Sequence, residues 1–182
     1  MRLNHAYNQI IEIAQMHNHT ASFDRREQSD INEIIGCVVD EIEPYVETRH
    51  QKLQVSKCQS HLIPLNKEQM RQAILNIVQN AIKFTPDRGE IFIAPITKNG
   101  HLIITVRDTG IGIPSHELTN IFDSFYEVGD INTHKSGTYE FMSKGLGLGL
   151  SIAKKFIEIN SGTINVDSKE KEGSTFTISF NL

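Results

Sequence analysis

Tryptophan is absent, and the chain holds only 2 cysteines, Cys37 and Cys58. Their spacing suits neither a metal site nor a redox pair, so both are expected to be reduced thiols. No run approaches the ~18 consecutive apolar residues that a membrane-spanning helix needs, which excludes such a span within this sequence. The opening residues, Met1-Arg2-Leu3-Asn4-His5, lead into no apolar segment of the signal-peptide kind. Positive charge is also scarce: there is no basic run and the formal net charge is −4, so neither nucleic acid nor an anionic membrane is an expected partner. Internal repeats, low-complexity tracts and a Gly-Lys-Ser/Thr phosphate loop are all missing. What remains is 182 residues with 38% hydrophobic and 22% charged content, one domain's worth of chain with some to spare. The expected compartment is the cytoplasm, as part of a longer parent that is free to carry a membrane anchor elsewhere.

The most informative stretch is Leu75 to Pro86, within a helix predicted from Asn66 to about Phe84. At roughly 100° per residue, Gln69, Gln72, Asn76, Gln79, Asn80 and Lys83 share one stripe about 100° wide. The rest of the helix from Met70 onward is nearly all apolar. A solvated face would carry paired Glu and Lys, whereas this one carries amides and a single cation. Asparagine is a poor helix former, so Asn76 and Asn80 one turn apart have two readings. Either the outer face happens to be amide-rich, or the helix walls a pocket offering neutral oxygens and one ammonium to a phosphorylated, metal-bearing ligand.

Around this helix the chain falls into a regular order. Residues 1–22 have modest helical spacing at Leu3, Tyr7, Ile10, Ile11, Ala14 and Met16, and Ala21 to Arg26 is polar and linker-like. Asp30 with Glu33 three positions on forms a capping-box pattern before Ile31, Ile34, Ile35, Val38, Val39, Ile42 and Val46, with Pro44 expected to kink the helix end. Short strands are expected at Leu53–Val55 and His61–Pro64. Asn99-Gly100 joins Glu90–Ile96 to His101–Arg107 as a hairpin. A short helical piece is expected around Glu117–Phe125, then a long mobile loop over 127–144. A last helix runs from the glycine run at 145–149 to about Asn160, stopped by Ser161-Gly162, and Thr163–Ser168 with Ser174–Asn181 forms a second hairpin. Because the later strands come in hairpin pairs, the expected architecture is an α+β, two-layer α/β sandwich rather than a doubly wound fold.

Two glycine-rich turns border the long loop. Asp108 ends a strand with a carboxylate, followed by Gly110 and Gly112, which let backbone approach a ligand closely. A buried carboxylate there can accept hydrogen bonds from an exocyclic amino group such as that of adenine; alone, the pattern equally fits a strand-ending turn. Gly145-Leu146-Gly147-Leu148-Gly149-Leu150 enters a helix, where backbone N–H groups and the helix dipole suit anionic oxygens. Glycine-rich turns are common, and neither is informative by itself.

The order and spacing of five boxes carry far more. Asn76-x-x-x-Asn80-x-x-Lys83, Asp108-x-Gly110-x-Gly112, Phe122-x-x-Phe125, Gly145-x-Gly147-x-Gly149 and Gly173-x-Thr175 follow one another. In this the chain, over about residues 23–182, resembles the ATP-binding catalytic domain of sensor histidine kinases. That group is related to DNA gyrase, the heat-shock chaperone ATPases and the mismatch-repair ATPases. The resemblance implies a Bergerat-type fold, with a mixed sheet packed on three helices and a long ATP lid. It implies that Asn80 ligates Mg²⁺, that Asn76 sits beside it near the phosphates, and that Lys83 pairs with them; Asn76 and Lys83 are thus the implied catalytic residues. The amide stripe suits this, since a hard cation wants oxygen, and with no carboxylate there Mg²⁺ is expected to arrive with ATP. Asp108 is implied to take the adenine amino group. Phe84, where the family often has tyrosine, is implied to line the adenine pocket with Ile113 nearby, and Thr175 to reach adenine through water. Gly145, Leu146, Gly147, Leu148 and Gly149 are implied to hold phosphates and hinge the lid, with Phe122 and Phe125 anchoring it. His134, Lys135 and Lys144 in the loop are candidates for γ-phosphate contact, or simply solvated residues.

The resemblance also implies a partner. A histidine kinase needs an acceptor histidine on a helical hairpin, in a His-Glu/Asp-Leu-Arg-x-Pro setting. Ser115-His116-Glu117-Leu118-Thr119 imitates its opening, but it follows the Asp108–Pro114 turn directly and no proline comes after. His5, His17 and His19 are not followed by acidic residues. Residues 1–22 are therefore expected to be the tail of that hairpin plus linker, and 23–182 the catalytic domain. The acceptor would lie on a dimerisation domain, with a response regulator downstream. Alternatives are a nucleotide-sensing module that does not transfer, an ATP-hydrolysing switch, or a relative of the serine kinases among anti-sigma factors. The switch reading is weakened because Asn76 stands where hydrolysing relatives usually carry an acid.

Overall fold

A computed structural model describes residues 26–60, 62–126, 141 and 147–182. The expected N-terminal segment 1–22, the loop residues His134, Lys135 and Lys144, and the glycine-run residues Gly145 and Leu146 lie outside the described residues.

The described chain runs β1 (Glu27–Asp30), α1 (Ile31–Thr48), β2 (Lys52–Val55), β3 (Leu62–Leu65), α2 (Lys67–Phe84), β4 (Glu90–Lys98), β5 (His101–Asp108), α3 (Gly149–Ile159), β6 (Thr163–Lys169) and β7 (Gly173–Asn181). Five strands form one sheet in the order β2-β4-β5-β7-β6, with β2 parallel to β4 and the other pairs antiparallel. β1 and β3 make a separate antiparallel ribbon. The sheet is mixed and its helices lie on one face, so the two-layer α/β sandwich is borne out.

Alternation sets which sheet face is buried. Ile91 and Ile93 on β4, Leu102, Ile104 and Val106 on β5, and Phe176, Ile178 and Phe180 on β7 all point into the core. Ile34, Val38 and Ile42 of α1, Ile74, Ile77 and Ile82 of α2, and Ile152, Ala153 and Ile157 of α3 meet them from the helical layer. Fully burying one such isoleucine contributes about 1.5–3 kcal/mol. α2 is the middle helix, packed against both α1 and α3. That position explains why so much of its circumference is apolar.

Local signals hold at the predicted helix starts and at the first hairpin. Asp30 caps α1 by accepting from the Asn32 N–H, and Asn66 caps α2 by accepting from the Gln69 N–H at 3.1 Å. Asn99 and Gly100 both have positive φ, 52° and 75°, as a two-residue hairpin turn of the Asn-Gly kind requires. At the end of α3 the left-handed residue is Ser161 (φ 64°), and the Gly162 N–H returns to the Ile157 carbonyl. Gly162 is needed for packing instead, because a Cβ there would strike the Phe180 ring.

A buried amide cluster fastens α3 to α2. Asn160 Oδ1 accepts from the Asn66 N–H at 2.7 Å, while its Nδ2 donates to Gln69 Oε1 at 2.9 Å and to the Phe156 carbonyl. Gln69, one of the six polar stripe residues of α2, is thus spent on this clasp. Arg26 joins the same end, donating to the Ile159 carbonyl and Ser161 Oγ. The far end of α2 is also covered: Arg49 and Gln51 donate to the Ile82 and Thr85 carbonyls, and Arg49 pairs with Asp87. The Arg49 guanidinium lies 5.6 Å from the ring of Phe141.

One element was missed and one expectation fails. β1 was not foreseen, since Glu27-Gln28-Ser29-Asp30 has no strand-forming residues and is extended only because it pairs with β3. The helical piece at Glu117–Phe125 is a chain of turns, with three-residue hydrogen bonds from Glu117 N to Pro114 O, Asn120 N to Glu117 O, Asp123 N to Asn120 O and Tyr126 N to Asp123 O. Thr119, Asn120, Asp123 and Ser124 compete with helix through their own polar side chains.

Candidate functional site

The site lies at one end of the sandwich, where the second half of α2, the end of β5, the start of β7 and the N-terminus of α3 converge. Asp108 is the last residue of β5 and only 4% exposed. Its Oδ1 accepts from the Gly110 N–H at 2.8 Å and from the Ser174 N–H at 3.2 Å. Its Oδ2 accepts from no described residue. Burial pushes the Asp108 carboxyl above its ordinary value, and the two backbone N–H groups and the nearby Arg107 charge pull it part of the way back. A buried carboxylate with one oxygen fixed by backbone and the other open is a ready acceptor for an amino group.

The glycines beside Asp108 are demanded by the chain itself. A Cβ on Gly110 would overlap the Phe84 carbonyl, one on Gly112 (φ +68°) the Lys169 carbonyl, and one on Gly173 (φ +101°) the carbonyl of Asp108. The turn is pinned between its neighbours: Ile111 N–H donates to the Phe84 carbonyl, and the Ile111 carbonyl accepts from Lys171 N–H at 2.7 Å. Ile113, half-buried against the core, donates its N–H to Ser168 Oγ. Phe84 is half-buried, with the Lys83 ammonium 4.7 Å from its ring centroid.

Thr175 is not brought to this cluster. Ser174, Phe176, Ile178 and Phe180 face the helices and are buried, so Thr175 points to the other face of the sheet, opposite Arg107 of β5 and Asp167 of β6. Ser174 stands there in its place: its N–H holds Asp108, and its Oγ lies 3.0 Å from Ser168 Oγ, whose partner is the Gly173 carbonyl. Period-2 phasing from Phe176 and Ile178 was the signal that could have found it; Ser174 is in phase with them and Thr175 is not.

The other end of the site is built differently. Asn76 is 2% exposed, accepts at Oδ1 from Gln72 Nε2 at 3.3 Å, and its Nδ2 meets no acceptor among the described residues. A Cβ on Gly149, the first residue of α3, would rest at 3.8 Å from Asn76 Cβ and Cγ, an ordinary contact. Among the described residues, nothing in the packing therefore forbids a side chain at Gly149. Leu148 precedes it as an N-cap with no side-chain cap, leaving the first N–H groups of α3 free of that kind of partner. Gly147, by contrast, is required by its φ of +65° and by Phe125, whose N–H donates to the Gly147 carbonyl at 2.8 Å. Asn80 and Lys83 lie half-buried on the same side of α2.

The two implied lid anchors part company. Phe122 packs on the core, edge-on to Phe176 with centroids 6.5 Å apart, and carries the Lys154 ammonium over its ring. Phe125 is 71% exposed with φ +66°, so its backbone, not its ring, ties the loop's start to Gly147. His116 is exposed and lies beside Glu117 in the turn chain.

The sequence profile described as "Histidine kinase-, DNA gyrase B-, and HSP90-like ATPase" matches residues 65–182. The chain belongs to this family. Within the family its relatives are sensor histidine kinases. It is 40% identical over 109 residues to the circadian input-output histidine kinase CikA of Thermosynechococcus vestitus, covering 60% of this chain and 14% of that protein. It is 29% identical over 178 residues to the sensor histidine kinase WalK of Bacillus subtilis, covering 97% of this chain and 28% of that one. The fold matches full-length ShkA in complex with AMPPNP, with a TM-score of 0.76 and 21% identity over 94% of this chain and 34% of that one. The chain therefore spans about a third or less of the length of these proteins. Among the described residues no helix is long and apolar enough to cross a membrane.

Proposed function

We propose that this chain is the ATP-binding catalytic domain of a sensor histidine kinase, which binds Mg·ATP and hands the γ-phosphoryl to a histidine on a separate dimerisation domain. The observation that carries this reading is a contrast along the second half of α2, between the turn after Asp108 that packs on Phe84 and the start of α3 beside Asn76. A buried carboxylate with an open oxygen stands at one end, and an unpaired buried amide beneath an uncapped helix N-terminus stands at the other. That pair of ends is complementary to a nucleotide, with an amino-bearing base and an anionic tail. The ShkA structure, solved with AMPPNP, supports the same ligand class.

In this reading Asp108 Oδ2 accepts from the adenine amino group, Phe84 and Ile113 line the base, and Ser174 rather than Thr175 completes that end. Gly147, Leu148 and Gly149 hold phosphates, with Gly145 and Leu146 beside them in sequence. Asn80 fits a metal: its half-buried amide offers a hard oxygen, and its stripe bears no carboxylate that would compete with phosphate. Mg²⁺ held there would neutralise phosphate charge. Lys83 adds a cation on the same face. In the transfer, the bond from γ-phosphorus to the β–γ bridging oxygen breaks as one forms to the imidazole nitrogen, whose proton leaves to an acidic group of the acceptor domain. Asn76 cannot take a proton from water, which favours transfer over hydrolysis. A response regulator is the onward partner, and the compartment is cytoplasmic.

Mixing the chain with a dimerising acceptor-histidine fragment and ATP labelled at the γ-phosphate tests this. Acid-labile labelling of the fragment is the expected result. ATP binding without transfer would point to a regulatory nucleotide-sensing module, and steady hydrolysis by the chain alone to an ATP-driven switch.

A further inference from the structure

We propose that Ser168 is a positioning residue for the base end of the site: by taking the Ser174 hydroxyl proton, it keeps Asp108 Oδ2 open to an amino group. This rests on the nucleotide-binding reading above and assigns a further residue to it.

Asp108, Ser174 and Ser168 form a polar row across three neighbouring strands. Ser174 of β7 is paired with Ser168 of β6. It also lies one step beyond the β5–β7 pair of Arg107 with Thr175, which sets it beside Asp108. Asp108 is in phase with buried Val106, Ser174 with buried Phe176 and Ser168 with half-buried Val166. All three side chains therefore stand on the helix side of the sheet. Residues paired across strands in this way have Cβ atoms about 4.5–5.5 Å apart. The Ser174 hydroxyl is thus flanked by a carboxylate on one side and a second hydroxyl on the other.

Proton counting decides which neighbour it serves. A serine hydroxyl has one proton and two lone pairs. Ser168 Oγ accepts from the Ile113 N–H at 2.8 Å and donates to the Gly173 carbonyl at 3.0 Å. Its other lone pair meets Ser174 Oγ at 3.0 Å, so that bond is made with the Ser174 proton. Asp108 receives only the backbone N–H groups of Gly110 and Ser174, both at Oδ1. Among the described residues Oδ2 has no donor, although a hydroxyl stands beside it. Ser174 is 7% exposed, so its hydroxyl has little water to turn to. Without Ser168 Oγ, rotation about χ1 leaves the Asp108 carboxylate as its remaining acceptor in the row. A hydroxyl on Oδ2 takes one of its lone pairs and part of its charge, which weakens what is left for an amino group.

The test measures, by calorimetry, affinity for ATP and for purine riboside triphosphate, the same nucleotide without its 6-amino group. Wild type is expected to prefer ATP. Ser168→Ala should weaken ATP about three- to tenfold and leave the analogue nearly unchanged, so that the preference collapses. Made in a Ser174→Ala background, the same substitution should change neither affinity, because no hydroxyl is left to turn. Ser168→Cys puts a weak sulfur acceptor in a similar volume and should show the same pattern at smaller size. If Ser168→Ala does not fold, the cysteine variant decides by the same criteria. Unchanged ATP affinity in Ser168→Ala would overturn the assignment and leave the nucleotide reading intact. So would an equal loss for both nucleotides, or a loss that persists without the Ser174 hydroxyl, since either would mean that Ser168 acts by bracing Ile113. A wild type that binds both nucleotides equally would remove the Asp108–amino contact and this inference with it. Failure of wild type to bind either nucleotide would overturn the nucleotide reading as well.

Discussion

Gly173 and Gly149 border the same site and are glycines for opposite reasons. A Cβ on Gly173 would run into the Asp108 carbonyl, and its φ of +101° is one that L residues rarely adopt. A Cβ on Gly149 would come no nearer than 3.8 Å to the Asn76 side chain, its first neighbour among the described residues, in a backbone conformation open to any residue. The Asp108 end is thus finished by the chain's own packing before any ligand arrives. The Asn76 end is left unfinished, with a buried side-chain donor that has no partner among the described residues. Two glycines that look alike in sequence serve different purposes: Gly173 builds the fold and Gly149 leaves room.

Substitutions can break that distinction. Gly173→Ala carries the largest effect, because strain and overlap both act on backbone; a loss of about 2–4 kcal/mol in urea-unfolding free energy is expected. Asn80→Asp comes next. It should leave stability unchanged and weaken ATP at least tenfold in calorimetry, since a carboxylate there repels phosphate; wild-type affinity would remove Asn80 from its role. Asp108→Asn separates binding from folding. With its carboxyl raised by burial, folded Asp108 holds a proton more tightly than the unfolded chain does, so its contribution to stability falls as pH rises through the carboxylate range. The variant should therefore match wild type near pH 4 and be equal or more stable at pH 7, while binding ATP about ten- to a hundredfold more weakly. A smaller contrast lies between neighbours on β7. Ser174→Ala should weaken ATP severalfold and Thr175→Ala hardly at all; the reverse order would return the adenine contact to Thr175. Smallest in stability is Gly149→Ala, which should raise the unfolding free energy by a few tenths of a kcal/mol, up to about 1, yet reduce ATP affinity by crowding the phosphate seat.

Much of the fold was legible because its signals are local. Asn66, Asp30 and Asn99-Gly100 each act within a few residues, and the alternation of β5 and β7 reports which face is buried. β1 was not legible, because Glu27–Asp30 is extended only through its pairing with Leu62–Leu65. The site was half legible. The order of the boxes picked out Asn76, Asp108 and the glycines as candidates, which the fold brings to one end of the sandwich, but spacing alone chose Thr175 where Ser174 is the residue on the Asp108 side. It also placed Gln69 with the pocket amides, although that residue belongs to the far end of the helix pair. Nor could spacing say which glycines the backbone requires, since that depends on carbonyls distant in sequence: Phe84 for Gly110, Lys169 for Gly112.

The clasp of Asn160 onto Gln69 and Asn66 turns α3 into a lever. Its fulcrum is fixed at the end remote from the pocket, and its tip is Gly149, about 16 Å away for an 11-residue helix. A tilt of about 5° at the fulcrum would carry Gly149 roughly 1.4 Å along its arc by that length, enough to decide whether a phosphate touches Asn76 or misses it. Arg26 grips the fulcrum from just ahead of β1. A displacement applied to the chain at that point would therefore be enlarged at Gly149, at the opposite end of α3.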